Sequence, residues 1–423
     1  MKVLIVGGGG REHAIAWKLN QSPKVDELLC APGNAGIGQI ARCFPEVKAT
    51  DLDGMLDLAR REKVDFVVVA PDDPLALGMV DRLEAAGIPA FGPVAAAAQL
   101  EASKVFSKGL MKKYHIPTAK YQVFTDAQAA MDYVRQQGAP IVVKADGLAL
   151  GKGVVVAQSV EEAEQAIKSM MLDKVFKESG SRVVIEECMV GREVTCLCFT
   201  DGNTILPMPA SQDHKRAFDG DLGPNTGGMG AFAPSPLMSP ELMETVRKTI
   251  LEPTLAALKG EGICFKGVLY VGLMLTEAGP KVVEYNARFG DPETQVMLPL
   301  MESDLMEAFM ACREGTLDRA DVRFGSGAAA CVVLASGGYP VKYETGKPIA
   351  GIEQAEENGA IVFHAGTKME NGQLVTAGGR VLNVSCVADT LPQAVQAAYA
   401  ALKPIRFEGM HFRTDIGNKD GLK

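Results

Sequence analysis

The sequence lacks an apolar run long enough to cross a membrane or to act as a signal peptide. After Met1 and Lys2, only four apolar residues precede Gly7. A membrane-spanning helix needs about 20 apolar residues, and a signal peptide needs an apolar core of about 7 to 15. We therefore expect a soluble protein that is not exported.

The nine cysteines form no Cys-x-x-Cys pair, so the usual pattern of a redox motif or zinc site is missing. Cys196 and Cys198 share one face of a predicted strand and are expected to be core residues. His214 has no second histidine or cysteine at ligand spacing, which argues against a metal role for it. These features favour a reduced, cytoplasmic compartment.

An excess of positive charge is also missing. Lys and Arg number 43 against 52 for Asp and Glu, and the net charge is -9. This balance argues against bulk nucleic-acid binding and membrane-surface binding, and it leaves room for local basic pockets that bind small anions. No internal repeat or low-complexity tract is present. A chain of 423 residues with 47% hydrophobic and 22% charged residues is typical of a globular protein with two or three cores.

The first hundred residues alternate strand-like and helix-like segments, which predicts a doubly wound parallel α/β domain over residues 1–102. The expected strands are residues 3–6, 27–30 and 66–70, and the expected helices are residues 11–20, 52–61 and 75–86. An Ala-rich patch near residues 98–102 marks the predicted end of this domain, before a new helix over residues 103–113.

Residues 103–326 are predicted to form a second unit that carries a small hinged lobe over about residues 119–190. Strands are expected at residues 141–145, 153–157, 183–187, 194–199, 267–275 and 281–286, and helices at 160–171 and 240–258. The last three of these strands should form a larger mixed sheet. Residues 327–423 are strand-rich with a helix near residues 391–402, which predicts a compact closing domain. The fold class is therefore multidomain, with α/β and α+β units.

Four glycines, Gly7 to Gly10, follow the first strand and precede a helix, where backbone N–H groups bind anions well. A Rossmann dehydrogenase is one alternative. The third glycine position of that motif falls on Glu12 or His13, and no ribose-binding acid follows the second strand. Arg11 and His13 beside the turn, together with the Pro-Gly-Asn-Ala-Gly run at residues 32–36, fit a phosphorylated small substrate better. A tight turn needed only for helix packing stays open as the alternative.

The run from Lys144 to Gly153 is similar to a Walker A loop, but its spacing is one residue short and a Val-rich strand follows it. We expect a hairpin lid whose glycines, including Gly151 and Gly153, bring backbone N–H groups over phosphates. Lys144 should project inward and Lys152 should lie at the tip. A purely structural hairpin is the alternative, although ordering so many glycines without a ligand is unfavourable.

A later strand ends in a mixture of metal-ligand residues. Strand alternation sends Glu284 and Asn286 to one face, and Val283 and Tyr285 to the other. A carboxylate beside an amide oxygen suits Mg²⁺, which combines few protein ligands with substrate phosphates. Arg288 would add a planar fork of donors for phosphate or carboxylate oxygens. A solvated strand end would explain this cluster alone, but it does not explain the glycine-rich hairpin as well.

Glu186, Glu187, Cys188 and Met189 end another apolar strand, and Glu193 follows shortly after. Backbone groups at this strand end could bind an adenine edge, and Glu193 could accept hydrogen bonds from ribose hydroxyls. A charged strand end that is simply solvated is the alternative.

Residues 211–236 show neither helix nor strand periodicity. Long loops of this kind inside enzymes are usually functional or disordered. The mixed charge of Asp213 and Lys215, with glycines close behind them, favours an ordered substrate loop over a linker.

Together these motifs resemble the phosphoribosylamine-glycine ligases, or glycinamide ribonucleotide synthetases, of the ATP-grasp superfamily. The resemblance extends over the whole chain. The matching motifs are Gly-Gly-Arg-Glu-His at 9–13, Pro-Gly-Asn-Ala-Gly at 32–36, Lys-Ala-Asp-Gly-Leu-Ala at 144–149, Gly-Lys-Gly at 151–153, Ser-Gln-Asp-His-Lys-Arg at 211–216, Gly-Pro-Asn-Thr-Gly-Gly-Met-Gly at 223–230 and Asn-x-Arg-Phe-Gly-Asp-Pro-Glu-Thr at 286–294, and two further motifs lie at 363–368 and 378–381.

The resemblance implies an ATP-grasp fold and a reaction in which ATP, glycine and 5-phosphoribosylamine give glycinamide ribonucleotide, ADP and phosphate, in purine synthesis. Phosphorylation would convert the glycine carboxylate, a poor electrophile, into a glycyl phosphate that the amine attacks. Mg²⁺ or Mn²⁺ would accompany ATP, and the protein would be a monomer or a weak homodimer.

The resemblance also implies roles for individual residues. The ATP contacts are Lys104, Lys144, Gly151, Lys152, Gly153, Glu186, Glu187, Cys188, Met189 and Glu193, and the metal ligands are Glu284 and Asn286. The substrate contacts are Gly10, Arg11, Asn34, Asp213, Lys215, Arg288 and Gly290. The catalytic residues are Lys144, Arg288 and Asp213.

Two departures from the family pattern put single contacts in doubt. Asp72 stands where the family commonly has glutamate, so a carboxylate contact there would start one methylene shorter. Gly8 replaces a polar residue, which removes one side-chain contact. Two other functions also stay open: an ATP-grasp enzyme with a different acid and amine, and a non-catalytic nucleotide sensor. The intact set of Lys144, Glu284, Asn286 and Arg288 argues against the sensor, because sensing does not need both metal ligands and a transition-state cation.

Overall fold

The computed structural model describes residues 1–148, 153–173 and 180–418. Within these ranges, no helix is both long enough and apolar enough to span a lipid bilayer.

The N-terminal unit is built on a five-stranded sheet in which all neighbouring strands are parallel. Its strands are β1 (Lys2–Gly7), β2 (Glu27–Pro32), β3 (Arg42–Cys43), β4 (Phe66–Val69) and β5 (Ala90–Phe91), in the order β3-β2-β1-β4-β5. The central strand β1 is apolar and buried on both faces, as is usual when helices cover both sides of a parallel sheet. The prediction of a doubly wound parallel domain is confirmed.

The helices of this unit are α1 (Gly10–Leu19), α2 (Leu52–Arg61), α3 (Asp72–Ala76), α4 (Met79–Ala85) and α5 (Ala95–Ala102). A single helix was predicted over residues 75–86, and this is wrong. The chain breaks at Gly78, whose φ of +84° ends one helix and starts the next. The Ala-rich patch is itself helical, and α6 (Lys104–Lys113) follows it directly.

The strand order reverses beside β1, because β2 lies on one side of it and β4 on the other. In open parallel sheets, ligands bind outside the carboxyl ends of the strands at such a point. The Gly7 to Gly10 turn and the start of α3 both lie at this edge.

A small lobe follows, with the helices α7 (Ala127–Gln137) and α8 (Val160–Ile167) packed on a four-stranded sheet. Its strands are β6 (Tyr121–Phe124), β7 (Ile141–Ala145), β8 (Val154–Ala157) and β9 (Val183–Glu187), in the order β6-β9-β7-β8. All three pairings are antiparallel. Apolar residues of both helices and of β7 to β9 form a separate core. A single helix was predicted over residues 160–171. In the structure α8 ends at Ile167, and a π-helical turn, Lys168–Leu172, continues it.

A larger sheet faces this lobe, with the strands β10 (Arg192–Thr200), β11 (Ile205–Pro207), β16 (Gly267–Thr276) and β17 (Gly279–Asn286) in the order β11-β10-β16-β17. A mixed sheet was predicted, but its strand pairs are antiparallel throughout. The accompanying helices are α9 (Pro240–Val246), α10 (Glu252–Gly260), α11 (Thr294–Leu300) and α12 (Leu305–Glu314), and a π-helical segment, Arg247–Leu251, joins α9 to α10.

A β-bulge interrupts β17. Gly272 pairs with Glu284 while Leu273 pairs with Val282, which leaves Val283 without a partner on β16. As a result Val282 and Tyr285, 0% and 3% exposed, lie in the same core. The predicted sharing of a face by Val283 and Tyr285 is therefore wrong. Glu284 is followed by regular pairing, so it still shares a face with Asn286.

The region 211–236 was predicted to lack strands, and the structure corrects this. It contains β12 (Gln212–Asp213), β13 (Arg216–Phe218), β14 (Leu222–Asn225) and β15 (Gly230–Ala233). β13 and β14 form a short hairpin. Local periodicity could not reveal β15, because its partner β18 (Ala328–Ala335) lies about a hundred residues further along the chain.

The C-terminal region contains the strands β19 (Ile361–His364), β20 (Thr367–Glu370), β21 (Gln373–Thr376) and β22 (Arg380–Ala388), and the helices α13 (Ile352–Glu357) and α14 (Leu391–Ala401). Its main sheet has the order β12-β15-β18-β22-β19. Two strands of this sheet thus come from the 211–236 region, and the sheet crosses the predicted boundary at residue 327.

Two buried histidines join the N-terminal and C-terminal units. The backbone N–H of His364 donates to Nδ1 of His13 at 2.7 Å, and Nδ1 of His364 lies 3.0 Å from Oγ1 of Thr367. Burial and the neighbouring His364 lower the pKa of His13 to about 3. Burial lowers the pKa of His364 to about 4. Both rings are therefore neutral at pH 7.

We predict that acid destabilises this junction. Between pH 6.5 and the lowered pKa values, the unfolded chain binds protons that the folded histidines do not, so stability falls as the pH falls. For each histidine, the free energy of unfolding of the protein should fall by about 1.4 kcal/mol per pH unit in this range. His13→Asn keeps an acceptor and removes one titration. Its urea midpoint should decline clearly less than that of the parent protein between pH 7 and pH 5.

His115→Asn is the matched control, because His115 is exposed and its positive φ of 56° suits asparagine. This variant should follow the parent protein at both pH values. Equal acid sensitivity in the His13 variant and the parent would contradict the assignment of the effect to this pair.

Candidate active site

Lys144 lies on β7 and is 5% exposed. Its ammonium is 3.0 Å from Oε2 of Glu186 on β9, and it donates to the carbonyl of Val283 in the β17 bulge at 3.1 Å. Glu186 also lies 3.2 Å from Nζ of Lys108, which donates to Oγ1 of Thr118 at 2.7 Å. One carboxylate thus lies between two buried lysines where the small lobe meets the larger sheet.

The cluster contains two further lysines, Lys104 and Lys108, and burial has the largest influence on the pKa of each. It lowers the pKa of Lys108 to about 8, against the opposing effect of Glu186. It also lowers the pKa of Lys104, against the opposing effect of Glu284. Lys104 donates to the carbonyl of Gly147 at 2.9 Å, at the start of the glycine-rich hairpin. Three lysines therefore converge at this place, and two of them share the carboxylate of Glu186.

Asp146 fixes the root of that hairpin. Its Oδ1 accepts from the Oγ of Ser103 and from the backbone N–H of Val105, both at 3.1 Å. Its Oδ2 lies 2.5 Å from Arg182. The N-terminal end of α6, which carries Lys104, is thereby tied to the lobe.

Glu284 and Asn286 occupy alternate positions on β17, opposite Gly272 and Tyr270. A side chain at Gly272 would contact Cγ of Glu284 at 3.4 Å, so the glycine leaves space beside the carboxylate. Partial burial raises the pKa of Glu284, but Lys215 and other nearby cations outweigh it and hold this pKa below its ordinary value. The carboxylate is ionised at neutral pH.

Arg288 is held by Glu101, which the sequence patterns did not reveal. The guanidinium lies 2.8 Å from Oε1 of Glu101, whose Oε2 accepts from the backbone N–H of Ala287 at 2.7 Å. NH2 of Arg288 also donates to Oδ1 of Asn286 at 3.2 Å. Although burial lowers the pKa of Arg288, Glu101 and then Asp72 raise it above its ordinary value. Its buried Nε has no hydrogen-bond partner among the described residues.

Asp72 is therefore part of the electrostatic environment of Arg288, even though its side chain is one methylene shorter than the family's usual glutamate. Gly8, the second departure, lies against the turn after β2. A Cβ at Gly8 would collide with the carbonyl oxygen of Gly33. With the backbone in this conformation, the site excludes a side chain at that position.

Lys215 follows β12 and lies 3.1 Å from Oε2 of Glu193 and 4.0 Å from Oε1 of Glu284. Burial lowers its pKa, but Glu193, Asp213 and further groups raise it above the ordinary value. Asp213 ends β12. The structure therefore brings the predicted residues of the 211–236 region to the same place as the predicted metal ligands.

A second unforeseen carboxylate, Glu293, lies beside this group and is 3% exposed. Oε1 of Glu293 accepts from the hydroxyl of Tyr270 at 3.0 Å, and that hydroxyl is 3.0 Å from Oγ1 of Thr195. Burial, and then Asp213, raise the pKa of Glu293 to about 7. Its side chain folds over Gly290, where a Cβ would collide with it.

At the edge of the N-terminal sheet, Glu12 closes the first turn of α1. Oε2 of Glu12 accepts from the backbone N–H of Gly9, and its Oε1 from Nε of Arg11, both at 2.6 Å. Arg11 also donates to the carbonyl of Phe289 at 3.1 Å. Gly10 lies at the start of α1. Gly10 and Arg11 are thus placed next to the motif that contains Gly290.

The predicted contact Asn34 has its side chain fully engaged by the protein. Its Nδ2 donates to the carbonyls of Gly8 and His364, and its Oδ1 accepts from the backbone N–H groups of Gly36 and Ile37, all at 2.8 to 2.9 Å. Asn34 therefore shapes the turn after β2.

The remaining predicted ATP contacts within the described residues lie in the lobe and at the start of the adjoining strand β10 of the larger sheet. Glu187 ends β9, and Cys188 and Met189 lead into β10, where Glu193 lies. The carbonyl of Gly153 accepts from the backbone N–H of Ala145 at 2.8 Å, which closes the β7–β8 hairpin. Gly151 and Lys152 fall outside the described residues.

A cavity of about 480 Å³ lies elsewhere, between α4, β5 and the end of α12. Phe91, Ile263 and Arg313 are among its lining residues, and none of the predicted site residues lines it. The chemistry of the seam between lobe and sheet, rather than this cavity, marks the candidate active site.

Lys108, Glu101, Tyr270 and Glu293 were not predicted as site residues. Lys108 lies four residues after Lys104 on α6, a spacing that places both on one helix face. Glu293 lies within the motif from Asn286 to Thr294. Glu101 and Tyr270 carry no local signal, because only the tertiary fold brings them to the site.

An antiparallel lobe with inward lysines, facing a second sheet that ends in a carboxylate, an amide and an arginine, is the arrangement of an ATP-grasp enzyme. Biotin carboxylase from Campylobacter jejuni, solved as a complex with beta-gamma-ATP, has the same fold with a TM-score of 0.74 and 15% identity, over 97% of this chain and 92% of that one. At this identity the likeness concerns the fold alone.

Sequence comparison narrows the class to one family. Residues 1–101, 102–294 and 329–419 match the N domain, the ATP-grasp (A) domain and the C domain of phosphoribosylglycinamide synthetase. Phosphoribosylamine–glycine ligase from Nostoc sp. is 52% identical over 421 residues, which cover 99% of both chains. The enzyme of that name from Vibrio vulnificus strain CMCP6 is 49% identical, over 99% of this chain and 98% of that one.

The crystal structure of phosphoribosylamine–glycine ligase from Thermotoga maritima has a TM-score of 0.87 and 34% identity, over 98% of this chain and 100% of that one. The chain therefore belongs to the phosphoribosylglycinamide synthetase family, and the resemblance seen in the sequence motifs is confirmed.

We predict that Glu101→Gln lowers kcat at least tenfold. The substitution keeps the size of the side chain but replaces a charge-assisted contact to Arg288, of a kind worth about 1.5–3 kcal/mol. Steady-state kinetics should show a smaller change in the KM for ATP than in kcat.

Glu84→Gln is the matched control. It removes a carboxylate that accepts from Nε and NH2 of Arg313, at 2.9 and 3.0 Å, at a domain contact away from the site. A similar loss of kcat in both variants would show that Glu101 acts through general stability.

Proposed function

We propose that this chain joins glycine to 5-phosphoribosylamine at the expense of ATP, giving glycinamide ribonucleotide, ADP and phosphate for purine biosynthesis. The observation that carries this proposal is that all three domains of the family match the chain. In the same chain, Lys104, Lys144 and Arg288 lie close to Glu284, and Arg288 contacts Asn286. Named relatives at about half identity over nearly their whole length support it.

The ATP phosphates are bound by Lys144, Lys104 and the glycine-rich hairpin that ends at Gly153. The convergence of Lys104, Lys108 and Lys144 at the seam supports this assignment, because ammonium groups make charge-assisted hydrogen bonds to phosphate oxygens. The adenine lies along Glu186 to Met189 and the ribose near Glu193. Since Lys215 contacts Glu193 at 3.1 Å in the structure, ribose binding would share or replace that ion pair.

Glu284 and Asn286 are suited to a divalent ion held together with the nucleotide. The ionised carboxylate and amide oxygen are hard oxygen donors of the kind that Mg²⁺ and Mn²⁺ bind. Oδ1 of Asn286 accepts from Arg288 in the structure, so ion binding would compete with that hydrogen bond. When bound, the ion would neutralise charge on the transferred phosphoryl group.

Glycine lies between Arg288 and the 211–236 region. The side chain of Arg288 is 19% exposed, so its guanidinium can contact a carboxylate or phosphoryl oxygen, and Asp213 supplies negative charge for an ammonium. Lys215 and the backbone at Gly290 complete the contacts. Arg288 would hold the glycine carboxylate in line with the terminal phosphate and stabilise charge that develops in the transfer.

The phosphoribosyl group lies at the edge of the N-terminal sheet, at the α1 N-terminus formed by Gly10 and Arg11. Backbone N–H groups at a helix N-terminus favour a phosphate. Asn34 acts there by fixing the turn against which the ligand rests. The amine of phosphoribosylamine then attacks a glycyl phosphate, and phosphate leaves.

Three further assignments belong to this proposal. The functional units are residues 1–102, 103–326 with a lid lobe at about 119–190, and 327–423. The protein acts in the cytoplasm, and it is a monomer or a weak homodimer, which sedimentation analysis would measure.

We predict that Lys144→Ala and Glu284→Ala each lower turnover by at least one to two orders of magnitude without unfolding the chain. The assay measures ADP formation with glycine while phosphoribosylamine is generated in situ. Near-parental rates in either variant would contradict its role. ADP formation that needs a different acid or amine would replace the proposed substrates.

The glycyl phosphate predicts a transfer of oxygen. With ¹⁸O in the glycine carboxylate, one labelled oxygen should appear in the phosphate released in each turnover, because the carboxylate oxygen attacks phosphorus and stays on it. Mass spectrometry of the phosphate measures this. Unlabelled phosphate would rule out the acyl phosphate while leaving the overall reaction intact.

A further inference from the structure

The hairpin β13–β14 lies directly between Lys215 and Thr226 and is held by a distant part of the chain. We call residues 411–415, which follow α14, the anchoring segment. Nearly two hundred residues separate the segment from the hairpin in sequence. Its contacts connect the C-terminal unit to the region that carries Asp213 and Lys215.

Arg413 is the centre of the anchoring segment, and its side chain is fully buried. Its NH1 donates to Oδ1 of Asp221 at 2.8 Å and to the carbonyl of Arg216 at 3.2 Å. Its Nε and NH2 each donate to Asp415 at 2.7 Å. One guanidinium thus contacts both the base and the tip of the hairpin.

Neighbouring residues of the segment reinforce this contact. Nε2 of His411 donates to the carbonyl of Ala217 at 2.8 Å. The backbone N–H of Thr414 donates to Asp219 at 2.8 Å, and the backbone N–H of Gly220 donates to Asp415 at 2.9 Å. The hairpin is therefore fixed along its length by charged and polar contacts.

The far end of the loop is held by the same unit. NH1 of Arg380 donates to the carbonyl of Gly227 at 2.8 Å, and the backbone N–H of Gly227 donates to the hydroxyl of Tyr339 at 3.1 Å. Between these two attachments, Thr226 donates to the carbonyl of Lys215 through its backbone N–H at 2.7 Å and through its Oγ1 at 2.8 Å. Displacement of the hairpin would therefore move Lys215.

We propose that Arg413 is a positioning residue for amino-acid binding: through the hairpin it sets the place of Asp213 and Lys215 relative to Glu284 and Arg288. This rests on the proposed contacts of Asp213 and Lys215 with glycine. Arginine suits the role because its planar fork reaches Asp221, Asp415 and the Arg216 carbonyl at once, whereas a lysine ammonium could not reach all of them.

The test is steady-state kinetics of Arg413→Lys and of Asp221→Asn. The second variant removes the hairpin side of the contact, and Asp221 is 42% exposed, so folding should not depend on it. Each variant should raise the KM for glycine about fivefold to twentyfold, because small displacements of positioning groups have effects of this order. The KM for ATP should change less than about twofold.

Hydrogen exchange gives a readout that does not depend on activity. Amides in the hairpin and its base, including those of Thr226 and Met229, should exchange faster in both variants, while those in β7 and β9 should not. In a double variant, the effects on the glycine KM should be less than multiplicative, because both changes remove one contact.

Arg406→Lys is the matched control, since Arg406 is exposed in the same unit and its guanidinium contacts only the carbonyl of Ile405 among the described residues. Asp213→Asn tests the underlying assignment separately. If Asp213→Asn raises the glycine KM and the Arg413 and Asp221 variants do not, the positioning role is overturned. If Asp213→Asn leaves it unchanged, the glycine contact itself fails. A lowered melting temperature with unaltered glycine KM would reduce Arg413 to a stability role.

Discussion

The buried ammonium of Lys144 joins the small lobe to the larger sheet, and the arrangement of the proposed active site depends on this contact. It contacts Glu186 of the lobe and the carbonyl of Val283 in the larger sheet. That carbonyl is accessible because the β-bulge removes Val283 from pairing with β16. Burying such charges is costly even when they are paired. Glu186 is shared with Lys108, so one carboxylate stabilises two buried lysines.

The second half of the site is ordered by an opposite arrangement, in which carboxylates surround a cation. Glu101 and Asp72 raise the pKa of Arg288, and Glu101 also binds the backbone beside it. Arg288 is thereby fixed without using its Nε. The lobe and α6 contribute the lysines, and the larger sheet contributes an arginine fixed next to Glu284 and Asn286. The two sets meet where Lys144 and Glu187 of the lobe contact the carbonyl of Val283 and the side chain of Lys281 on β17.

Much of this could be predicted from the sequence wherever a signal was local. Apolar runs between glycine turns predicted β1 and the parallel sheet. Strand alternation predicted that Glu284 and Asn286 lie on one face of β17. Prediction failed where long-range pairing decided the structure, as for β15, whose partner β18 is remote in sequence. It also failed where one residue broke a period, as at Gly78 and at the Val283 bulge. Glu101 lay outside every motif, because its importance comes only from the position of Arg288.

The sheet that contains β12, β15 and β18 has a consequence for how the chain can be divided. A cut near residue 327 would separate β15 from β18 and leave unpaired backbone along both. Each fragment would then expose an edge strand whose free N–H and C=O groups could pair with other chains and cause aggregation. The domains that the family comparison defines in the sequence are therefore not independent structural units. An exchange of the last hundred residues between relatives would need to include residues 211–236 as well.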